Sequence, residues 1–364
     1  MLARYMRKVY TSLATHIYDI PSRMMALMLL SMFTLLPFIR FEVTLISTLI
    51  EANFIAIFAA SWDLLFRAGQ VSLGHALFYG MGGYTTAILF KYLGWPIWIT
   101  IPISMLVNAA LALIIGIPCL RLKGPYLALV TMAFPLVTLG LIKGPFSSVT
   151  GGEIGIYGLP SLFPRELIKS PLDRVMAEYY LTLTLMMFCS IILYKIAYSK
   201  TGMVFVSILD DELASKACGI NVTKYKLMAF AISGFFASLA GCIHAHRINV
   251  VNPPMFGVNI SLIPLIAAVL GGLGTIYGPF VGTYIYYILD RYILTILIPM
   301  HKWTFYNVEW GQVKPIIFTL IVIVFIIKWP RGIGRGIVEK LEDLEKPREI
   351  EEIEKEKSKK HEKS

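Results

Sequence analysis

The sequence predicts an all-α polytopic membrane protein with about ten transmembrane helices, and its hydropathy, low charge content and long apolar runs all support this fold class. Of its 364 residues, 57% are hydrophobic and 15% are charged, and the mean hydropathy is +0.69. Soluble domains have about 45–50% apolar and about 25% charged residues. The excess apolar residues fall into runs near the ~20 residues that a bilayer-spanning helix needs, which favours membrane helices over a large soluble core.

Ten apolar runs divide the chain, and polar segments of different character separate them. We predict spans at residues 24–39, 43–65, 71–90, 95–118, 125–143, 179–198, 227–246, 259–276, 279–298 and 314–328. The polar segments are a basic leader (1–23), a Gly/Pro-rich segment (144–178), an island (199–226) and a charged tail (336–364), so the transmembrane domain is 24–335. A charge within the bilayer is costly, so we expect the ninth helix to reach the membrane surface near Asp290 and Arg291.

Basic residues predict the orientation. The leader carries four lysines and arginines, and Arg331 and Arg335 follow the last run. Basic residues concentrate in cytoplasmic loops, so both termini are predicted to be cytoplasmic. Counting the crossings then places the polar island, residues 199–226, in the cytoplasm and the segment 144–178 outside.

The sequence lacks the motifs that are typical of several function classes. The chain has no GxxxxGK[ST] phosphate loop, so it is not expected to hydrolyse ATP by that route, and it contains no HExxH or GxSxG. The four cysteines are far apart, which indicates neither a disulfide framework nor a zinc site. His244 and His246 should point to different helix faces, which argues against a metal site formed by this pair. The sequence also shows no basic patch on a soluble fold, which is the feature that would indicate nucleic-acid binding. We therefore predict no catalytic site, metal or cofactor in this chain.

The polar island is the first candidate functional site. It predicts a short acidic helix over about 209–219, beginning at Asp211 and Glu212 and ending at Gly219. A small acidic helix between membrane spans suits contact with a soluble partner. The candidate contact residues are Asp210, Asp211, Glu212, Ala214, Gly219 and Ile220.

Two glycine-rich stretches are the second candidate site. Residues 69–84 could provide small residues for close helix packing, or a broken helix whose free backbone groups line a cavity. Residues 271–282 could form a simple turn, or a tight re-entry between two spans that line a pathway. The candidate pathway residues are Ser72, Gly74, His75, Tyr84, Gly272, Gly274 and Thr275.

Five sequence blocks together resemble a known family. In chain order these blocks are GQVSLGHALFYGMGGYTTAIL, RLKGPYLALVTMAF, TGGEIGIYGLP, DELASKACGINVTKYKLMAFAISGFFASLAG and VLGGLGTIYGPFVGTYI. They resemble the LivM-type permease subunit of branched-chain amino-acid ABC transporters, in the LivH/LivM family. The resemblance runs from about residue 43 to 335.

The resemblance implies a plasma-membrane importer subunit of the type II, vitamin-B12-importer-like architecture. The implied partners are a LivH-type permease forming a heterodimer, two ABC ATPase subunits that bind ATP and Mg²⁺, and an extracytoplasmic substrate-binding protein that meets the external loop. The polar island then corresponds to the ATPase-coupling loop. Glu212 and Ala214 keep two of the three EAA positions of the importer signature, while Gly219 lies one residue later than its glycine.

The substrate implied by the family is leucine, isoleucine or valine, and related permeases carry urea or short amides. A proton-coupled secondary amino-acid transporter is the alternative from another class, and it would use intramembrane carboxylates. Glu51, Asp63 and Asp290 are the carboxylates in or near spans, and along the sequence Arg291 is their one basic neighbour. A purely structural membrane subunit is a further alternative.

Overall fold

The computed structural model describes residues 43–120, 122, 124–164, 168–297, 310–329 and 332–333, and this part of the chain is predominantly helical. The predicted first span (24–39), the leader and the tail lie outside the described residues. The helices are α1 Val43–Arg67, α2 Ala76–Leu93, α3 Ile97–Cys119, α4 Pro125–Lys143, α5 Ser147–Thr150, α6 Pro171–Ala197, α7 Lys200–Asp210, α8 Glu212–Ala217, α9 Val222–Ile248, α10 Val258–Gly271, α11 Tyr277–Tyr287 and α12 Trp310–Lys328.

Among the described residues, five helices are long and apolar enough to cross a membrane: α1, α3, α4, α6 and α9. Helix α10 is apolar but has only 14 residues. The chain is therefore a multi-pass membrane protein, and the total of ten spans stays a prediction.

Several helix boundaries differ from the predicted ones. The third run becomes helical at Ala76 rather than at residue 71, and the eighth ends at Gly271. The sixth helix begins at Pro171, so the last part of the segment 144–178 is helical. Ser170 caps this helix by accepting the Asp173 N–H, and proline is favoured in the first turn. Hydropathy alone missed this start because the first two turns are polar.

Helix α1 forms the centre of the bundle and is buried over most of its length. Helices α6, α9, α10 and α11 pack around it, and α9 also packs against α2 and α3. By contrast, α3 and α4 expose large apolar side chains, including Trp98, Ile114 and Leu129. These exposed surfaces suit contact with lipid or with another membrane subunit.

Small residues bring α2 and α9 into close contact. A Cβ atom at Gly82 would lie 2.4 Å from the carbonyl oxygen of Ser238, and one at Gly241 would lie 1.9 Å from that of Tyr79. A Cβ atom at Gly80 would lie 2.5 Å from the Phe256 ring, and one at Gly83 would lie 2.7 Å from the Met255 side chain. The close-packing interpretation of residues 69–84 is therefore confirmed for the helical part of that stretch.

One small β element corrects the all-α prediction. Strands β1 (Ile156–Tyr157) and β2 (Val250–Val251) pair antiparallel, with Ile156 opposite Val251. They join the loop after α5 to the end of α9. A 3₁₀ turn at Pro253–Phe256 leads into α10, and α11 continues as a π-helix, Ile288–Leu297. The π-helix extends the ninth helix past residue 290, where the sequence predicted that it would leave the membrane.

Candidate functional site

The polar island folds into two short helices with well-defined ends. Ser199 caps α7 by accepting the Gly202 N–H, and Asp211 caps α8 by accepting the N–H groups of Leu213 and Ala214. Helix α8 ends at Ala217, and Gly219 follows the cap residue Cys218 with a φ of +81°, which favours glycine. The predicted acidic start and glycine stop are confirmed, but the helix is shorter than 209–219. Asp210 belongs to the end of α7.

Two polar contacts hold α8 against its neighbours. Glu212 accepts hydrogen bonds from Lys216 at 2.7 Å and from Lys226 of α9 at 2.9 Å. The Lys226 side chain is only 6% exposed, so this ion pair has limited contact with water. The Ser207 and Ser215 hydroxyl oxygens are 2.7 Å apart, which joins α7 to α8. The island is therefore a folded unit attached to the start of α9.

The island presents a mixed surface. Asp210, Asp211, Ala214 and Gly219 are exposed, and Ile220 is half-buried. Leu213, the second residue of the short helix, is 70% exposed. An exposed leucine that directly follows three acidic residues is a suitable contact surface for a soluble protein.

At the same end of the bundle, residues 272–276 form a turn that we call the glycine turn. The Asp63 carboxylate of α1 is fully buried and accepts the N–H of Gly274 at 2.7 Å and that of Ile276 at 2.9 Å. Thr275 donates its hydroxyl to the carbonyl of Gly272 and accepts the N–H of Gly278. Gly272, Gly274 and Thr275 thus come together in one turn, fixed to the central helix.

The glycine turn also contacts the approach to the island. The Tyr198 hydroxyl, one residue before the Ser199 cap, donates to the Thr275 carbonyl at 3.3 Å. The Arg67 guanidinium lies over the Tyr198 ring, 4.8 Å from its centroid. Tyr198 therefore links the start of the island to the glycine turn.

The segment 68–75 is the non-helical part of the other glycine-rich stretch, and most of it is buried. Three of its backbone groups have side-chain partners, which suits a break at membrane depth. The Trp62 indole donates to the Ser72 carbonyl, Thr131 accepts the Leu73 N–H, and the Ser72 hydroxyl accepts the Gly74 N–H. The break in the helix is real, but Ser72, Gly74 and His75 do not line either of the two cavities described below.

Three consecutive residues of α1 hold both breaks in the helical structure. The Ser61 hydroxyl and the His75 Nε2 atom are 3.0 Å apart, Trp62 holds Ser72, and Asp63 holds the glycine turn. Six of the seven candidate pathway residues therefore surround one turn of α1. Tyr84 lies apart from them, beside the Phe256 ring, with a ring-centroid distance of 5.6 Å.

An ionic network at the opposite end of the bundle was not predicted. Arg247, at the end of α9, donates to Glu51 of α1 at 3.1 Å, and its Nε atom lies 3.8 Å from Glu178 of α6. Arg291 also reaches Glu51, at 3.5 Å, and Lys314 pairs with Asp290 at 2.9 Å. In space these carboxylates therefore have basic partners besides Arg291, namely Arg247 and Lys314, which come from distant parts of the sequence.

Two cavities lie beside this network. The first, of about 140 Å³, is lined by residues that include Glu51, Tyr79 and Arg291. The second is a more open hollow of about 600 Å³ beside Arg174, Glu178 and Arg247.

The two histidines near the end of α9 have separate environments. His246 contacts the Thr86 hydroxyl and the Pro160 carbonyl, at 2.9 Å each, while His244 packs against the rings of Phe54 and Tyr79. The prediction that they point to different faces is confirmed. Over the described ranges, no three His, Cys, Asp or Glu side chains group in a way that could hold a metal ion.

Comparison with known proteins agrees with this architecture. The family described as "Branched-chain amino acid transport system / permease component" matches residues 44–327. The chain is 34% identical over 229 residues to the high-affinity branched-chain amino acid transport system permease protein LivM of Salmonella typhimurium, and 33% identical to LivM of Escherichia coli. Each of these matches covers 57% of this chain and 53% of the relative.

A more distant relative is the autoinducer 2 import system permease protein LsrC of Enterobacter sp. It is 30% identical over 216 residues, covering 55% of this chain and 58% of that protein. The chain thus spans little more than half the length of the curated relatives it matches. No solved structure gives a significant match. Because the family match extends over most of the sequence and nearly all of the described helices, this chain belongs to the permease component family of branched-chain amino acid transport systems.

Proposed function

We propose that this chain is a permease subunit of an ATP-driven ABC importer that carries branched-chain amino acids across the cell membrane. The observation that carries the proposal is the similarity to LivM over 229 residues, combined with a folded acidic island that suits a soluble motor. The proposed assembly contains a LivH-type permease as heterodimer partner, two ABC ATPase subunits and an extracytoplasmic binding protein. ATP and Mg²⁺ bind the ATPases, and this chain has no cofactor of its own.

The proposed topology has ten spans in a type II arrangement, with both termini and the island in the cytoplasm. The segment between α4 and α6 then lies outside, where it meets the binding protein. The island end of the bundle faces the ATPases, and the ionic network faces the substrate supply. This orientation is supported by the basic residues at the predicted cytoplasmic ends.

In the proposed mechanism, ATP binding closes the ATPase pair and displaces α8. A motor can shift the permease only through contacts that differ between its two states. Glu212 and Lys226 pass the displacement to α9, and Tyr198 passes it to the glycine turn held by Asp63. The candidate pathway residues around α1 then change their packing, so that the pore opens alternately to the two sides.

A double variant of the island tests this proposal. Replacing Glu212 and Gly219 together by alanine and valine should leave membrane insertion intact while separating ATP hydrolysis from uptake of labelled leucine. The measurement uses the full complex in proteoliposomes. The matched control is Lys91→Ala, at an exposed charge at the end of α2, outside both the island and the segment 144–178. Normal leucine uptake by the double variant would contradict the proposed role of the island.

The more distant similarity to LsrC supports a second substrate class, an autoinducer 2-like molecule, and urea or short amides remain family alternatives. The measurement that separates these candidates is the inhibition of labelled leucine uptake by an excess of each unlabelled compound. A proton-coupled secondary transporter is the alternative that carboxylates within helices favour. Glu51, Asp63 and Asp290 all occupy helices, and Asp63 is fully buried. Uptake that persists without ATP and stops when the proton gradient is dissipated would favour that alternative.

A further inference from the structure

The smaller cavity, of about 140 Å³, has two chemically distinct sides. Ile55, Ile260 and Ile263 supply aliphatic surface, and Ile55 and Ile263 are buried. Glu51, Asp290 and Arg291 supply charged groups, and the Arg291 side chain is 56% exposed. The cavity therefore combines a hydrophobic interior with a charged opening that carries both signs.

Its size suits a small aliphatic group. An apolar cavity of about 150 Å³ in another protein holds benzene. The side chain of leucine has four carbon atoms and is smaller than benzene. It therefore fits within this volume, and its amino and carboxylate groups would then lie at the charged opening.

The ion pairs at the opening allow a zwitterion to bind without leaving an unbalanced charge. Glu51 has a closer partner in Arg247, at 3.1 Å, than in Arg291, at 3.5 Å. Arg291 can therefore turn to a ligand carboxylate while Glu51 stays neutralised by Arg247. Guanidinium groups bind carboxylates in a two-pronged geometry, and the Glu51 and Asp290 carboxylates can accept hydrogen bonds from an ammonium group.

The backbone beside the opening is unusual. Asp290 and Arg291 lie on the π-helix that extends α11, and π-helical turns are rare and frequent at functional sites. Tyr286 and Tyr287, which also line the cavity, lie four positions earlier. A π-helix has a wider turn than an α-helix, which allows both pairs of residues to face the same space.

We propose that this cavity binds a free amino acid with a branched aliphatic side chain, within this one permease subunit. The ligand side chain contacts the isoleucines, its carboxylate binds Arg291, and its ammonium group binds Glu51 and Asp290. The site rests on the proposed function, which supplies the amino acid. It adds a selective step in the permease itself, after release from the binding protein.

A substitution that fills the cavity with a larger side chain tests the apolar side of the site. Ile263→Phe should lower leucine uptake relative to alanine uptake at least tenfold in proteoliposomes with the full complex, because one misfitted methylene in a pocket changes discrimination about 10–200-fold. The matched control is Ile266→Phe on the same helix, which does not line the cavity and should keep the wild-type ratio. Ile263→Ala enlarges the space and should shift the preference toward phenylalanine.

Direct binding tests the charged side. Calorimetric titration of the purified permease pair, without binding protein, should show saturable binding of leucine and at least tenfold weaker binding of isopentylamine, which lacks the carboxylate. Arg291→Gln should remove this difference. Transport of leucine by the wild-type complex together with no saturable binding, or unchanged ratios in both Ile263 variants, would overturn the site. Absence of leucine transport by the wild-type complex would instead overturn the proposed function on which it rests.

Discussion

The carboxylate of Asp63 accepts the backbone N–H of Gly274 at 2.7 Å, across 211 positions of sequence. Its other oxygen accepts the N–H of Ile276, which has a φ of +61°. A β-branched residue rarely adopts this left-handed conformation. The central helix therefore holds a strained turn in place, and that turn contacts the approach to the polar island through Tyr198.

Asp63→Asn should destabilise the protein, because an amide has one acceptor oxygen and leaves one of the two N–H groups without a partner. An unsatisfied buried donor costs about 1–3 kcal/mol. The measurement is the thermal unfolding midpoint of the purified protein in detergent. Asp173→Asn is the control, since Asp173 is exposed in the first turn of α6. Equal midpoints for the two variants would show that the carboxylate does not hold the turn.

Separating the Glu212–Lys226 pair should affect both stability and coupling. Glu212→Gln leaves the nearly buried Lys226 ammonium without its charged partner, which we expect to cost about 1–3 kcal/mol. A double-mutant cycle with Lys226→Met isolates the energy of the pair. The reference is the exposed pair Lys143–Glu153, for which a coupling below about 1 kcal/mol is expected. If the coupling energy of the Glu212–Lys226 pair were as small as that of the reference pair, this ion pair would have no structural role.

Gly74→Ala should be poorly tolerated. Its new Cβ atom would lie 1.8 Å from the Thr131 carbonyl oxygen, so the segment 68–75 and α4 would have to separate. Overpacking of this kind costs about 1–3 kcal/mol or more. Gly140→Ala, on the same helix as Thr131 and in open space, should be neutral or slightly stabilising because alanine is the better helix former. The yield of folded protein and its unfolding midpoint distinguish the two variants.

Arg247→Met should be more harmful than Arg247→Lys. The methionine leaves Glu51 and Glu178 without their shared cation, and breaking a buried ion pair costs about 3–5 kcal/mol. Lysine keeps the positive charge, but it lacks the planar guanidinium group through which Arg247 also donates a hydrogen bond to the Ser47 carbonyl. Unfolding midpoints of both variants, measured at low and high salt, check the order. An identical loss in both would show that packing rather than charge sets the effect.

The sequence predicts the local features of this molecule well. Apolar runs of bilayer length locate α1, α3, α4, α6 and α9 because their signal lies within each helix. The acidic start and glycine stop of α8 are likewise local, since Asp211 caps its own helix and Gly219 ends it. Where the first turn of a helix is polar, as in α6 at Pro171, its beginning is missed because hydropathy does not register capping.

Long-range partners could not be predicted in the same way. The pairing of Glu51 with Arg247 spans 196 positions, and the pairing of Asp63 with the glycine turn spans more than 200. Such contacts depend on which helices become neighbours, which no local pattern encodes. The cavity beside Arg291 was missed for this reason, because its charged and apolar sides come from helices far apart in the chain. A useful signal was present in Asp290 and Arg291, two charges inside an apolar run.

Helix α9 connects the two ends of the molecule without interruption. It has 27 residues, or about 40 Å of helix, and it contains no proline, unlike α3, α4, α10 and α12. Lys226 lies near its first turn, while Arg247 and the β-paired loop are joined to its last. A helix of this kind behaves as a stiff rod. A displacement of its first turn is therefore carried to the ionic network at its other end as a rigid movement.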